Sequence, residues 1–119
     1  MLVAIVAFLL GGSPSADLRI TVWPTGRGGP ARVASLRCDP VAGTLSGRAA
    51  ACVRLRAFPI SPFVPMPAGI ACTQIYGGPE EALVVGRFRG RPVWMRFHRR
   101  DGCGIARWNR VSFLFAPRL

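Results

Sequence analysis

The chain contains no lysine, only five acidic residues and a single histidine, His98. Carboxylates this few and this scattered do not suggest the paired acids of a glycosidase. One histidine on a strand among arginines reads as a solvated side chain, not as a catalytic base or a metal ligand. No Gly-x-Ser-x-Gly elbow is present, so the common hydrolase nucleophile is missing too. The four cysteines include no C-x-x-C pair, which argues against zinc and against a thioredoxin-like site. No cofactor motif stands out and there is no internal repeat. The reading is of a protein that is not an enzyme, with no cofactor and no metal.

Long apolar runs are also absent. The one that exists, residues 1–10, is too short to span a bilayer and is followed by Gly11, Gly12, Ser13, Ser15 and Ala16. That is the shape of a secretory leader, so residues 1–16 are expected to be a signal peptide and 17–119 the mature domain. About 100 residues then remain, enough for one small domain with a thin core that gains from covalent staples. An exported chain keeps its disulfides. The domain is expected to be extracellular, with no membrane contact after removal of the leader.

What the sequence has in excess is positive charge, +11 overall, carried entirely by 16 arginines. Such a balance suits a polyanion partner. The arginines are spread over the whole chain, however, with only Arg99-Arg100 adjacent. Together with the abundance of Gly, Ala and Pro, this fits compositional bias as well as it fits a binding footprint. No sequence-specific nucleic-acid partner is expected. Trp23, Trp94 and Trp108 read as packing residues more than as a stacking platform.

Apolar and polar residues alternate over 18–22 and again over 33–38, with Ala34, Leu36 and Cys38 sharing one face of the second run. Pro24-Thr25-Gly26-Arg27-Gly28-Gly29-Pro30 between them is a loop. Ser46 is placed to cap a helix from about Arg48 to Phe58, with Ala49, Cys52 and Val53 on one face and Pro59 as its stop. Residues 81–88 and 92–98 alternate around Arg89-Gly90-Arg91 and form the clearest hairpin. Asp101-Gly102-Cys103-Gly104 is a turn, followed by a helical turn through Ile105 to Trp108. Val111-Ser112-Phe113-Leu114-Phe115 reads as a last strand. The sum is α+β: a five-stranded antiparallel sheet with one or two helices on one face.

Four cysteines allow three connectivities. The sequence-local choice pairs Cys38 with Cys52 and Cys72 with Cys103, each worth about 3–4 kcal/mol by loop entropy. The second pair would brace Cys72-Thr73-Gln74-Ile75-Tyr76-Gly77-Gly78-Pro79 against the far end of the hairpin. A segment rich in proline, Pro59 to Pro67, leads into it. Its prolines hold φ near one value and keep the backbone extended.

Cys72-Thr73-Gln74-Ile75-Tyr76, the hairpin ending at Gly90-Arg91, Asp101-Gly102-Cys103 and the apolar run 111–115 resemble the Streptomyces subtilisin inhibitor family. The likeness covers roughly Asp17 to Phe115, and Cys38 and Cys52 fall where that family has its first bridge. The resemblance implies a secreted serine protease inhibitor, usually a homodimer packed through its sheets. It implies a reactive bond between Gln74 and Ile75, with Cys72, Thr73 and Tyr76 as flanking protease contacts. Thr73 stands where the family often has proline, and Gly77-Gly78-Pro79 where it often has Asp-Pro, which reads as looser backbone. Gln74 is uncharged and cannot pair with the acid of a trypsin-like pocket, so the expected partner is an extracellular subtilisin-like serine protease. The alternative is a secreted basic module of the same fold that holds polyanions without inhibiting a protease.

Overall fold

The computed structural model describes residues 13–115. The apolar run of the expected leader lies outside them. The elements run β1 (Ala16–Trp23), β2 (Arg32–Cys38), β3 (Ala42–Gly43), α1 (Arg48–Arg56), β4 (Glu81–Phe88), β5 (Arg91–His98), α2 (Gly102–Arg110) and a 3-10 turn at Ser112–Leu114. They form one antiparallel sheet in the order β3-β2-β1-β4-β5. The α+β architecture read from the sequence is the one observed.

β1 is central because it can be. Ala16, Leu18, Ile20 and Val22 all point to one face and are all buried. Leu18 lies opposite Leu36 on one neighbour, and Ile20 opposite Val84 on the other. Leu55 from α1 and Val111 and Leu114 from the C-terminal segment complete the core. Trp108 and Phe97 close one end of it, with ring centroids 4.6 and 5.2 Å from that of Phe115. The alternate residues of the same strands, among them Arg19, Arg87, Trp94 and Arg96, lie on the opposite face and are exposed.

Ser15 and Ala16 belong to the sheet. Ala16 is buried and pairs with Cys38 and Phe88. The Ser15 N–H donates to the Cys38 carbonyl at 3.1 Å, and the Ser15 carbonyl accepts from the Arg89 N–H at 2.8 Å.

Several local expectations change. The run 111–115 is not a strand. Val111, Leu114 and Phe115 are the buried positions, spaced three and four apart, and that is a helical period. An apolar run of five cannot reveal which period applies. The fifth strand is instead Ala42–Gly43, a two-residue edge on β2. Ser46 does not cap α1; the cap position is Gly47, in left-handed backbone with no side-chain bond. The inward face of α1 is Ala51, Cys52 and Leu55, while Val53 is 58% exposed and Ala49 is exposed. Cys52 is bonded to Cys38 at the end of β2, and that bond sets the rotation of the helix. The residues around Asp101 do not end at a turn. They start a nine-residue helix, with the Asp101 carboxylate accepting the Gly104 N–H at 2.8 Å.

The β4–β5 hairpin turns through Arg89 and Gly90, both at positive φ, as a two-residue hairpin of this hand requires. Arg89 tolerates that conformation while its guanidinium reaches the C-terminal end of α1. Nη2 donates to the Phe58 carbonyl at 2.6 Å and the Leu55 carbonyl at 3.3 Å. A cation there satisfies carbonyls that the helix leaves open and opposes its dipole. Arg89→Gly keeps the turn geometry and removes the staple together with the guanidinium's contact on the Phe88 ring, 4.7 Å from its centroid. It should cost about 1–2 kcal/mol in urea unfolding with disulfides intact; an unchanged midpoint would refute this role.

Candidate functional site

The segment from Pro59 to Pro79 crosses the domain with no regular structure. Two contacts anchor its first half. Phe63 is buried and meets Phe88 edge-on, with ring centroids 5.4 Å apart. The next carbonyl, that of Val64, accepts from Arg107 Nη2 on α2 at 2.8 Å. Beyond these points the chain runs exposed through Pro67 to Ala71 and reaches Cys72.

Cys72 is bonded to Cys103, the second residue of α2, with Cα atoms 5.3 Å apart. The Thr73 carbonyl accepts the Gly102 N–H at 3.0 Å, and the Gly77 N–H donates to the Arg99 carbonyl at 2.7 Å. Arg99 Nε donates back to the Gly77 carbonyl at 3.3 Å. Gln74, Ile75 and Tyr76 lie between these anchors and are all exposed. Ile75 at 61% and Tyr76 at 64% are among the most exposed large apolar residues of the domain. Two adjacent apolar side chains held in water forgo the burial that usually stabilises a loop.

Glycine makes this docking possible at two places. A Cβ on Gly102 would collide with the Thr73 side chain, and one on Gly77 would meet Ile105 Cδ1 at 2.8 Å and the Arg99 carbonyl at 3.1 Å. Gly77, which reads in sequence as slack, is therefore pressed against α2 and the end of β5. Arg99 is itself braced, 3.8 Å from Glu80 and 3.3 Å from the Asn109 side chain.

All five expected loop residues, Cys72 to Tyr76, thus sit together in one exposed segment, with Cys103 beneath it. The other bridge, Cys38–Cys52, joins β2 to α1 and takes no part in the loop. Sequence reasoning missed Arg99, Gly102 and Ile105 as the seat of the loop. The adjacent pair Arg99-Arg100 was visible, but its use of main-chain atoms was not. Cys72, Asp101 and Cys103 place three ligand-type atoms within 4.8 Å of one another. The two sulfurs are spent on each other and the carboxylate on capping α2, so the cluster offers no metal site.

His98 and Trp94 depart from their sequence readings. His98 is half-buried against Gly104, and its Nδ1 accepts the Arg100 N–H at 3.0 Å. Trp94 is 59% exposed and packs against no core, unlike Trp108, which is buried; Trp23 is half-buried beneath Arg27. Compared with known proteins, the chain matches no protein-family model and no curated sequence. The resemblance drawn above therefore stands on the quoted residues alone.

Burial holds the His98 imidazole below its ordinary pKa of 6.5, and the nearby Arg100 charge adds to this. As pH falls through 6.5 the unfolded chain takes up a proton before the folded one does. The stability associated with neutral His98 is present above that pH and is lost on acidification toward the lower folded value. His98→Asn keeps an acceptor for the Arg100 N–H but does not titrate. Melting temperatures from pH 8 to 5 should fall more steeply for the parent than for the variant; parallel curves would exclude the effect.

Proposed function

We propose that the chain is a secreted inhibitor of subtilisin-like serine proteases, acting through the bond between Gln74 and Ile75. The observation that supports this reading most is where the two sides of that bond are fastened. Cys72 and Thr73 on one side, and Gly77 on the other, are all held by the short segment Arg99–Cys103.

A protease binds substrate as an extended strand and pairs with its backbone. Residues 71–78 contain neither helix nor turn, so a protease cleft can take them without unfolding anything. A loop already held in place loses little entropy on docking, which favours tight binding. If the enzyme serine acylates at Gln74, the Ile75 amine is released. It does not diffuse away, because Gly77 remains tied to Arg99 while Cys72 remains tied to Cys103. An amine kept beside the acyl-enzyme competes with water through its high effective concentration, and resynthesis is favoured over hydrolysis. The chain contributes position and no catalytic group.

Gln74 would enter the primary pocket, with Thr73, Ile75 and Tyr76 as flanking contacts. Its neutral amide suits a broad, largely apolar pocket and gives no ion pair in a trypsin-like one. Titration of subtilisin should reach an endpoint near one loop per enzyme, and mass mapping of slowly nicked inhibitor should place the cut after Gln74. Gln74→Lys should move inhibition toward trypsin by tenfold or more, on the scale of one buried charge pair. A cut elsewhere, or an unchanged ranking of the two enzymes, would rule out this reactive bond.

Export fits the two bridges, which persist in oxidising compartments. Among the described residues no helix is long and apolar enough to cross a membrane. Since Ser15 and Ala16 are built into the sheet, leader removal should leave them on the mature chain. N-terminal sequencing of exported protein should show a start no later than Ser15; a start at Asp17 would be incompatible with this.

A further inference from the structure

β5 is the last strand of the sheet and pairs with β4 alone. Its turn has two residues, so Phe88 and Arg91 form the closing hydrogen-bonded pair, and such pairs recur at every second residue. Val93, Met95 and Phe97 therefore bond to β4. Trp94 and Arg96 turn their N–H and C=O groups the other way, and among the described residues none of the four has a main-chain partner. Pro92 has the same parity, at a position where a missing N–H costs the ladder nothing. An open edge on a strand of eight residues is a template for another strand. Beside it, between β5, α2 and the irregular segment, lies a cleft of about 600 Å³. Phe63, Met66, Met95 and Phe97 give it apolar walls, and Arg96 and Arg107 line it too. Arg107 is held by the Val64 carbonyl, while Arg96 covers the Trp94 ring and reaches no carbonyl or carboxylate among the described residues. The one acid of the cleft, Asp101, is taken by the Gly104 N–H.

We propose that the free edge of β5 takes an extended acidic peptide segment of a partner protein as an added strand. Main-chain bonds to Trp94 and Arg96 supply affinity, and alternate side chains supply specificity, as in other cases of strand addition. Apolar residues of one parity enter the cleft beside Met95 and Phe97. Acidic residues of the other parity lie beside Arg96, where no acid of this chain neutralises the charge. A second copy is a poor occupant, because pairing β5 with β5 sets Arg91 and Arg96 of each strand among those of the other. The sheet-to-sheet dimer that the resemblance implies uses the outer face and not these edge atoms. The peptide needs no part of the bond between Gln74 and Ile75.

The test is fluorescence anisotropy on the disulfide-bonded chain, with a labelled peptide of about six residues that alternates valine and glutamate and can span the edge. Binding should saturate below about 1 mM peptide and weaken with added salt. N-methylation of one alternate set of peptide residues should abolish binding, and of the other set should leave it, because only one set turns its N–H groups to β5. Lysine in place of glutamate in the peptide, or Arg96→Glu in the chain, should weaken binding by about tenfold or more. Trp94→Pro removes an outward N–H without touching the β4 ladder and should cost about tenfold, whereas Trp94→Ala keeps that donor and should cost less than about threefold. The methylated peptides probe the same bonds on the unaltered chain, should Trp94→Pro fold poorly. Gln74→Lys should bind the peptide as the parent does, which separates this surface from the reactive bond. Any of four results would overturn the proposal: no saturation, equal binding of the two methylated peptides, equal binding of the lysine peptide, or a dimer in sedimentation that Trp94→Pro converts to monomer.

Discussion

The bond between the Cys72 and Cys103 sulfurs joins an exposed, irregular segment to the first turn of a helix, and most of the molecule's particular features follow from that one link. α2 can hold the loop only because it is itself fixed at both ends, by the Asp101 carboxylate at its N-terminus and by Trp108, near its C-terminus, in the core. β5 must end where it does so that Arg99 faces Gly77. The bridge closes 31 residues, and by loop entropy alone this is worth about 4 kcal/mol, a large share of the margin of a domain this size. The same link that stabilises the fold also spares the loop from needing a buried anchor of its own. Ile75 and Tyr76 can therefore remain in water.

Arginine without lysine is more than a matter of charge in this fold. Arg89, Arg99 and Arg107 each donate to main-chain carbonyls, at the end of α1, at Gly77 and at Val64. A planar guanidinium with several fixed donors can reach a carbonyl and still meet a second group. Arg107 does so by also contacting Met95 Sδ at 3.2 Å. The arginines thus divide between those that hold backbone in place, Arg87 among them through the Gly90 carbonyl at 2.6 Å, and those, such as Arg19 and Arg96, that reach no carbonyl or carboxylate among the described residues. Net charge alone cannot separate these roles.

The sheet was legible because its strands alternate cleanly: Leu18, Ile20 and Val22 on β1, and Val93 and Phe97 on β5, face the core as their spacing requires. Both bridges were legible as the local pairing. The C-terminal run was not, since Val111 to Phe115 is apolar under either period and only its packing beneath the sheet selects the helical one. Nor was the rotation of α1, which is set by a covalent bond at Cys52 and not by its weak apolar pattern. At the site, the exposed residues could be named in advance from the cysteine and prolines around them. Their support could not, because it consists of main-chain hydrogen bonds and close approaches at Gly77 and Gly102, which leave little mark on residue type. Trp94 misled for a related reason: indole usually signals burial, and strand parity places this one outside.

The position of the bridge relative to the loop has one further effect. Cys72 precedes Gln74 and Cys103 follows it, so a chain severed at any point between the two cysteines stays in one covalent piece. Hydrolysis there would add one water and change neither migration nor overall charge by much until a reductant is added. Damage to the loop would stay hidden in ordinary purification, and the two halves would part company only on entering a thiol-rich environment.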